Sequence, residues 1–323
     1  MDSTATDRTR PTYARARVPF VCDAGAGATG TAASTRRREF LKRAAGSLLL
    51  PAFVSPLLAA CGGGGLDGDS DGETVVVRLA SADNFRDVGG ADGYPTADGR
   101  RVKRGVFYRS SALTLSDADK ATLGTLGIAG VYDLRTPGEI ARAADALPAG
   151  TAYATINIDG TSDYLMPAPA SAVEAVAIMQ TRNRGFVTSE SERAAYGALL
   201  TQLASSSSGA QLFHGTAGKD RTGWAAALLL SIANVPLDVI VADYLLTNTY
   251  SQASIAARVD AIRQQGGDDT AASAAPLFNA QASHLQAGFD QVEGSYGTMT
   301  SYLTQGLGLA QSTVDALRAR LVV

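Results

Sequence analysis

One short run limits the possible folds of this chain more than any other feature: Phe213-His214-Gly215-Thr216-Ala217-Gly218-Lys219-Asp220-Arg221-Thr222-Gly223. The residues leading into it, Gln211-Leu212-Phe213, read as a short strand, and Trp224 to Leu230 reads as a buried helix. A strand that turns through a tight glycine-bearing loop into a helix belongs to a layered α/β protein. Such a loop aims several main-chain N–H groups at one point, and the helix dipole makes that point favourable for an anion. A cation at a helix start opposes the dipole, so Arg221 makes best sense with an anion in front of it. Its planar fork can hold two oxygens at once. The candidate phosphate-binding residues are therefore Thr216, Ala217, Gly218, Lys219, Arg221 and Thr222.

The run resembles the His-Cys-x-x-Gly-x-x-Arg-Ser/Thr signature of cysteine-dependent protein tyrosine phosphatases. It is most similar to the Gly-Lys-Asp-Arg-Thr-Gly variant of secreted bacterial tyrosine and dual-specificity phosphatases. Every defined position matches except one: Gly215 stands where that family has its nucleophilic cysteine. The segment Asn84-Phe85-Arg86-Asp87-Val88-Gly89-Gly90 resembles an element near the start of the same family and precedes the loop in the same order. Read from the residues alone, that segment is a glycine-bounded loop, and 105–110 after it is an edge strand. The resemblance spans about 83–321 and implies hydrolysis of phosphate monoesters without a metal or other cofactor. The substrates it implies are phosphotyrosine, phosphoserine or phosphothreonine, and phosphoinositides.

Chemistry of that class requires a thiolate, an arginine for the phosphoryl oxygens, an acid for the leaving oxygen and a water. Arg221 fills the second role. Asp220, inside the loop, and Asp133, at the end of a strand, compete for the third. Asp220 also reads as a loop carboxylate accepting N–H bonds, and Asp133 as the partner of Arg135 or Arg109. The resemblance makes His214 a support of loop geometry. Thr222 reads equally as an anion donor and as a helix cap. Lys219 reads as a second cation of the loop, of the kind that accepts phosphoinositides, or as a solvated lysine. Gly215 has no side chain and cannot form a phosphoenzyme. Thr216, next to it, carries a hydroxyl that needs a base. Two functions follow: a phosphatase of weak or unconventional activity, or a catalytically inactive pseudophosphatase that binds phosphorylated ligands.

Elsewhere the pattern alternates strands and helices, which predicts a mainly parallel sheet flanked by helices, with additional helices at the C-terminal end. Strands are expected at 74–79, 128–135 and 155–158. Helices are expected at 116–126 with Ser116 as cap, from Pro137 onward, and at 171–181 and 190–204. The later chain reads as helices at 236–246, 254–264, 279–292, 295–303 and 311–321, broken at 266–269. Part of this region is placed to cover the mouth of the site. In a parallel sheet ligands sit at the carboxyl ends of strands, which brings Asp133 and Arg135 to the edge that carries the loop.

The first 60 residues read as an export signal. Arg36-Arg37-Arg38-Glu39-Phe40-Leu41-Lys42 resembles a twin-arginine motif, and Leu58-Ala59-Ala60-Cys61 resembles a lipobox in which Cys61 carries the lipid. Residues 61–72 are rich in Gly and Asp and read as a flexible tether, followed by a phosphatase-like domain at 73–323. The protein is thus expected to be exported, periplasmic or on the cell surface, and to touch the membrane through its anchor. Its ligand is expected to be a phosphorylated protein or a phospholipid. A net charge of −3 gives no support for nucleic-acid binding. The two cysteines, Cys22 and Cys61, both precede the domain, and no metal site is expected.

Overall fold

The computed structural model describes residues 76–206 and 209–323. The export signal, Cys61, the tether and the first residues of the expected strand at 74–79 lie outside the described residues. The described residues include no helix long and apolar enough to cross a membrane.

They form a sheet of five strands: β1 (Arg86–Asp87), β2 (Phe107–Ser110), β3 (Ile128–Asp133), β4 (Ala152–Thr155) and β5 (Ala210–His214). The order is β1-β2-β5-β3-β4, antiparallel between β1 and β2 and parallel elsewhere. β5 lies between β2 and β3, and each of its residues is buried. A strand covered on both faces needs such continuous burial. Ser110 and Asp133 both pair with His214, so three strands end level at the start of the loop.

The crossovers are helical: α1 (Asp117–Thr125), α2 (Pro137–Arg142), α3 (Ala172–Thr188) and α4 (Glu190–Ser205). Side chains cap their first turns. Ser116, Ser171 and Ser189 each accept a main-chain N–H three residues on, and Thr136 with Glu139 forms a capping box. α5 (Arg221–Ile232) is buried almost all round, as a helix packed on a sheet and covered by others must be. Trp224 is fully buried and meets the rings of Phe186, Phe289 and Tyr302.

Beyond it come α6 (Leu237–Leu245), α7 (Thr247–Tyr250), α8 (Gln252–Phe278), α9 (Ala282–Tyr296), α10 (Met299–Ser301), a π-helical turn at Tyr302–Gly306 and α11 (Gln311–Leu321). The expected break lies inside α8, where Gly267 takes φ 83° and interrupts the helix.

Four expectations change. Residues 76–79 pair with no strand; Leu79 is buried against the core, but the place beside β2 belongs to Arg86–Asp87. β-branched composition favours an extended chain, yet a strand also needs a free edge. The expected edge strand at 105–110 is instead an interior strand between β1 and β5. The regular part of β4 ends where the expected strand began, although Ile156 N–H still bonds to Asp133. The expected helix at 295–303 is only α10 before the π-turn begins.

Candidate active site

The loop from Gly215 to Asp220 joins β5 to α5 and floors a cleft of about 410 Å³. Ser254, Ile255 and Arg258 of α8, with Leu277 and Phe278 at its end, line it together with Tyr164 and Met166. Of the long C-terminal helices, α8 thus lines the cleft.

Among the described residues, no acceptor takes the main-chain N–H of any residue from Thr216 to Arg221. The Asp220 side chain does not cap α5 either. These orphan donors at the start of a twelve-residue helix make the cradle positive without any side chain.

Arg221 is buried and gripped from one side. Nη1 donates to Glu139 Oε2 at 2.7 Å and Asp159 Oδ2 at 2.9 Å, and Nη2 donates to Glu139 Oε1 at 2.6 Å. Nε–H and the second hydrogen of Nη2 are left for a ligand, and together they form one edge of the fork. Asp159 also pairs with Arg182 at 2.5 Å. Two carboxylates therefore balance two guanidinium groups, and the pull on an anion comes mainly from the N–H groups and the helix dipole. Burial favours neutral Glu139, but the Arg221 fork and then the Thr216 hydroxyl outweigh it and hold its carboxyl down at about 2. A depressed carboxyl stabilises the fold fully above its ordinary value of 4.5 and loses that contribution as pH falls toward 2. We expect the unfolding free energy obtained from urea titration to fall over that window by on the order of 3 kcal/mol from this group. A Glu139→Gln variant should show a smaller loss between pH 5 and pH 2 in the same titration.

Thr216 Oγ donates to Glu139 Oε1 at 2.5 Å. That carboxylate is too weak a base to activate it, because Arg221 already neutralises it. Lys219 departs from expectation. It is buried, and its ammonium donates to the main-chain carbonyl of Leu277 at 2.5 Å and of Asn279 at 3.3 Å, at the end of α8. Burial pushes it below the usual lysine range, against the pull of Asp220. It ties the loop to the wall of the cleft.

The two candidate acids separate. Asp133 reaches the correct edge, but its carboxylate is fully buried and takes the Arg135 fork at 2.7–3.1 Å and the Tyr153 hydroxyl at 2.7 Å. Burial raises its carboxyl, and Arg135, His214 and Tyr153 together bring it below the ordinary range. It does not line the cleft. Asp220 does, with its oxygens 3.3 Å from the Tyr244 hydroxyl and 3.7 Å from Lys219. Arg109, the other partner expected for Asp133, pairs with Asp243 instead.

His214 is fully buried, with Nε2 2.9 Å from Asp145 and poorly aligned for a hydrogen bond. Asp133, Asp145 and His214 bring ligand-type atoms within 4.8 Å of one another. Arg135 stands among them, 2.7 Å from Asp133 and 2.9 Å from Asp145, and already supplies the balancing charge. His284, on α9, is buried with both ring nitrogens unpartnered among the described residues, and burial lowers it to about 4.

Behind the loop lies support that was only partly visible in the residues. Asn84, at φ 60°, donates to Gly218 O at 2.7 Å and Ala217 O at 3.3 Å. Arg109 donates to Gly218 O at 2.8 Å. Asp243 holds both arginines, Arg86 at 3.0 Å and Arg109 at 2.8 Å. Phe85 stacks on Tyr108 with centroids 5.6 Å apart, and Asp87 accepts from the N–H of Gly89 and Gly105. Gly218 needs φ +65°, and a Cβ there would stand 2.4 Å from Ser110 O. Glu139, Asp159 and Asp243 lie far from the loop in sequence; Glu139 is marked locally only as part of a helix start, and no local pattern ties any of the three to the loop.

Gly215 needs no such freedom, because its φ is not positive. A Cβ on it would meet Thr222 Oγ1 at 3.1 Å and Arg221 Nε at 3.8 Å. Thr222 Oγ1 is buried and has no hydrogen-bond partner among the described residues. Thr222 therefore does not cap the helix; its hydroxyl lies over the place that a Cβ on Gly215 would take.

Comparison with known proteins agrees with this architecture. A family model described as tyrosine phosphatase family matches residues 77–323. The chain is similar to the triple specificity protein phosphatase PtpB of Mycobacterium tuberculosis, 33% identical over 285 residues, which cover 77% of this chain and 99% of that one. It is also similar to a tyrosine-protein phosphatase of Nostoc commune, 27% identical over 277 residues, 78% of this chain and 90% of the other. With a matched model spanning the sheet, the loop and the C-terminal helices, the chain belongs to the tyrosine phosphatase family.

Proposed function

We propose that this protein binds phosphate monoesters in the 215–222 cradle and, as it stands, holds them without efficient turnover. The observation that carries this reading is the unstrained Gly215 beneath the orphan hydroxyl of Thr222, in a loop whose N–H groups remain unpaired. Binding needs the loop, the dipole and Arg221, and all three are present. Double displacement needs a nucleophile, and glycine offers none. Asp220 is the acid best placed to serve a leaving oxygen, and Thr222 is a donor to whatever sits above Gly215.

The ligand class is a phosphorylated protein, with a phosphoinositide headgroup as the other source of the same monoester. Calorimetric titration with phosphotyrosine tests the reading. The natural protein should bind, and Arg221→Ala should weaken binding roughly tenfold or more, the loss of a charge-assisted pair of bonds. Absence of binding by the natural protein, at full folding by circular dichroism, would overturn it.

The N-terminal motifs support an exported, lipid-anchored protein with its domain held near a membrane by a short tether. Labelled fatty acid fed to the producing cells should enter the natural chain and be lost with Cys61→Ala. Equal labelling of both would sink the anchor.

A further inference from the structure

We infer that the space above Gly215 is a binding site for a small thiolate, and that a low-molecular-weight thiol serves this protein as a diffusible nucleophile. This rests on the phosphate-binding reading of the same cleft and extends it to an activity that needs a co-reactant. Three observations meet at that point. Outside its chain neighbours, a Cβ on Gly215 would find only Thr222 Oγ1 at 3.1 Å and Arg221 Nε at 3.8 Å within 4 Å among the described residues. Thr222 is wholly buried, and its hydroxyl has no partner. Arg221 Nε makes no hydrogen bond among the described residues, since Glu139 and Asp159 take only the Nη groups.

A buried hydroxyl without a partner is costly, so a group that accepts its hydrogen bond is favoured there. The start of α5 adds the positive end of its dipole, which favours the thiolate over the thiol. Gly215 and Thr222 both line the cleft, so a molecule can enter from the side where phosphate binds. Any side chain at 215 would fill the space and carry its own group; glycine leaves it to a molecule from solution.

The chemistry balances. The thiol loses its proton to solvent and sits as thiolate above Gly215. Sulfur attacks the phosphorus of a monoester held by the loop. The S–P bond forms as the bond from phosphorus to the leaving oxygen breaks. The departing oxygen keeps the electron pair and takes a proton from the carboxyl of Asp220. Water then gives a proton to the Asp220 carboxylate as its oxygen attacks phosphorus; the S–P bond breaks, phosphate is released, and the departing thiolate takes back from solvent the proton it first lost.

The test uses the full chain, an aryl phosphate and 2-mercaptoethanol, with inorganic phosphate binding measured on the same sample. The rate should rise hyperbolically with thiol, to roughly tenfold or more above the thiol-free rate, because a bound nucleophile gains effective concentration. Phosphorus resonance spectra should show the S-phosphorylated thiol. Gly215→Ala should lose the saturable rise, and a bulky tertiary thiol should give none with the natural protein. Phosphate binding with no thiol-dependent rate would overturn this inference alone. So would a rise that stays linear, or one equally large with the tertiary thiol. Failure to bind phosphate would overturn the cradle reading, and this inference with it.

Discussion

Replacing Gly215 with cysteine is expected to raise aryl-phosphate hydrolysis on the order of 10³-fold or more, since loss of a nucleophile elsewhere leaves only positioning and electrostatic catalysis. Glycine is not required by the backbone, because Gly215 lies outside the positive-φ region. The new Cβ comes within 3.1 Å of Thr222 Oγ1, so that side chain must give by a few tenths of an ångström. A threonine hydroxyl can do so, and it gains a thiolate to bond. The start of α5 and the unpaired loop N–H groups then hold the thiolate ionised. Gly215→Ala is the control and should gain nothing. Steady-state release of the aryl alcohol from the three proteins decides it. A Cys variant no faster than the Ala variant would mean that the defect lies beyond position 215, with Asp220 the first suspect. Appreciable turnover by the natural protein without added thiol would mean that water attacks directly.

The largest effect on stability is expected at Asp243. Its carboxylate is buried between Arg86 at 3.0 Å and Arg109 at 2.8 Å, with the Tyr94 hydroxyl at 3.1 Å. Burial alone would raise its carboxyl; the two arginines overcome this and hold it below the ordinary range. Burial likewise lowers Arg109, to about 10. Asp243→Ala would leave two buried guanidinium groups with too little negative charge, a loss of about 3–5 kcal/mol. For a domain of this size that is a fall in melting temperature of roughly 6–20 °C. The damage should also reach the cradle, because Arg109 holds the Gly218 carbonyl. Thermal unfolding with and without phosphate separates the two effects. A melting temperature within a degree or two of the natural protein would show that water or another group compensates the arginines.

Much of this was legible in the residues. The strand, loop and helix around 211–230 formed because the apolar residues of β5 and α5 bury both elements and the loop carries the one glycine, Gly218, that its φ demands. Ser116 and Pro137 marked helix starts because caps and first-turn prolines act locally. Residues 76–79 misled for the opposite reason: their composition suits a strand, but pairing is a property of a neighbour. Asp133 misled more subtly. Its position at a strand end placed it at the right edge, while the turn that brings Arg135 back onto it covered the carboxylate. Lys219 looked like a free loop cation, and its ammonium donates instead to the main chain at the end of α8.

By itself, then, the sequence determined the alternation of strands and helices around the loop, the identity of the loop and the glycine at 215, because each depends on neighbours along the chain. Only the tertiary structure decided which acid reaches the cleft, what grips Arg221 and what stands behind the loop. Glu139, Asp159 and Asp243 reach those places through crossovers and helix packing. The strength of a buried charge depends on the partners and the water around it, and folding alone assembles those surroundings.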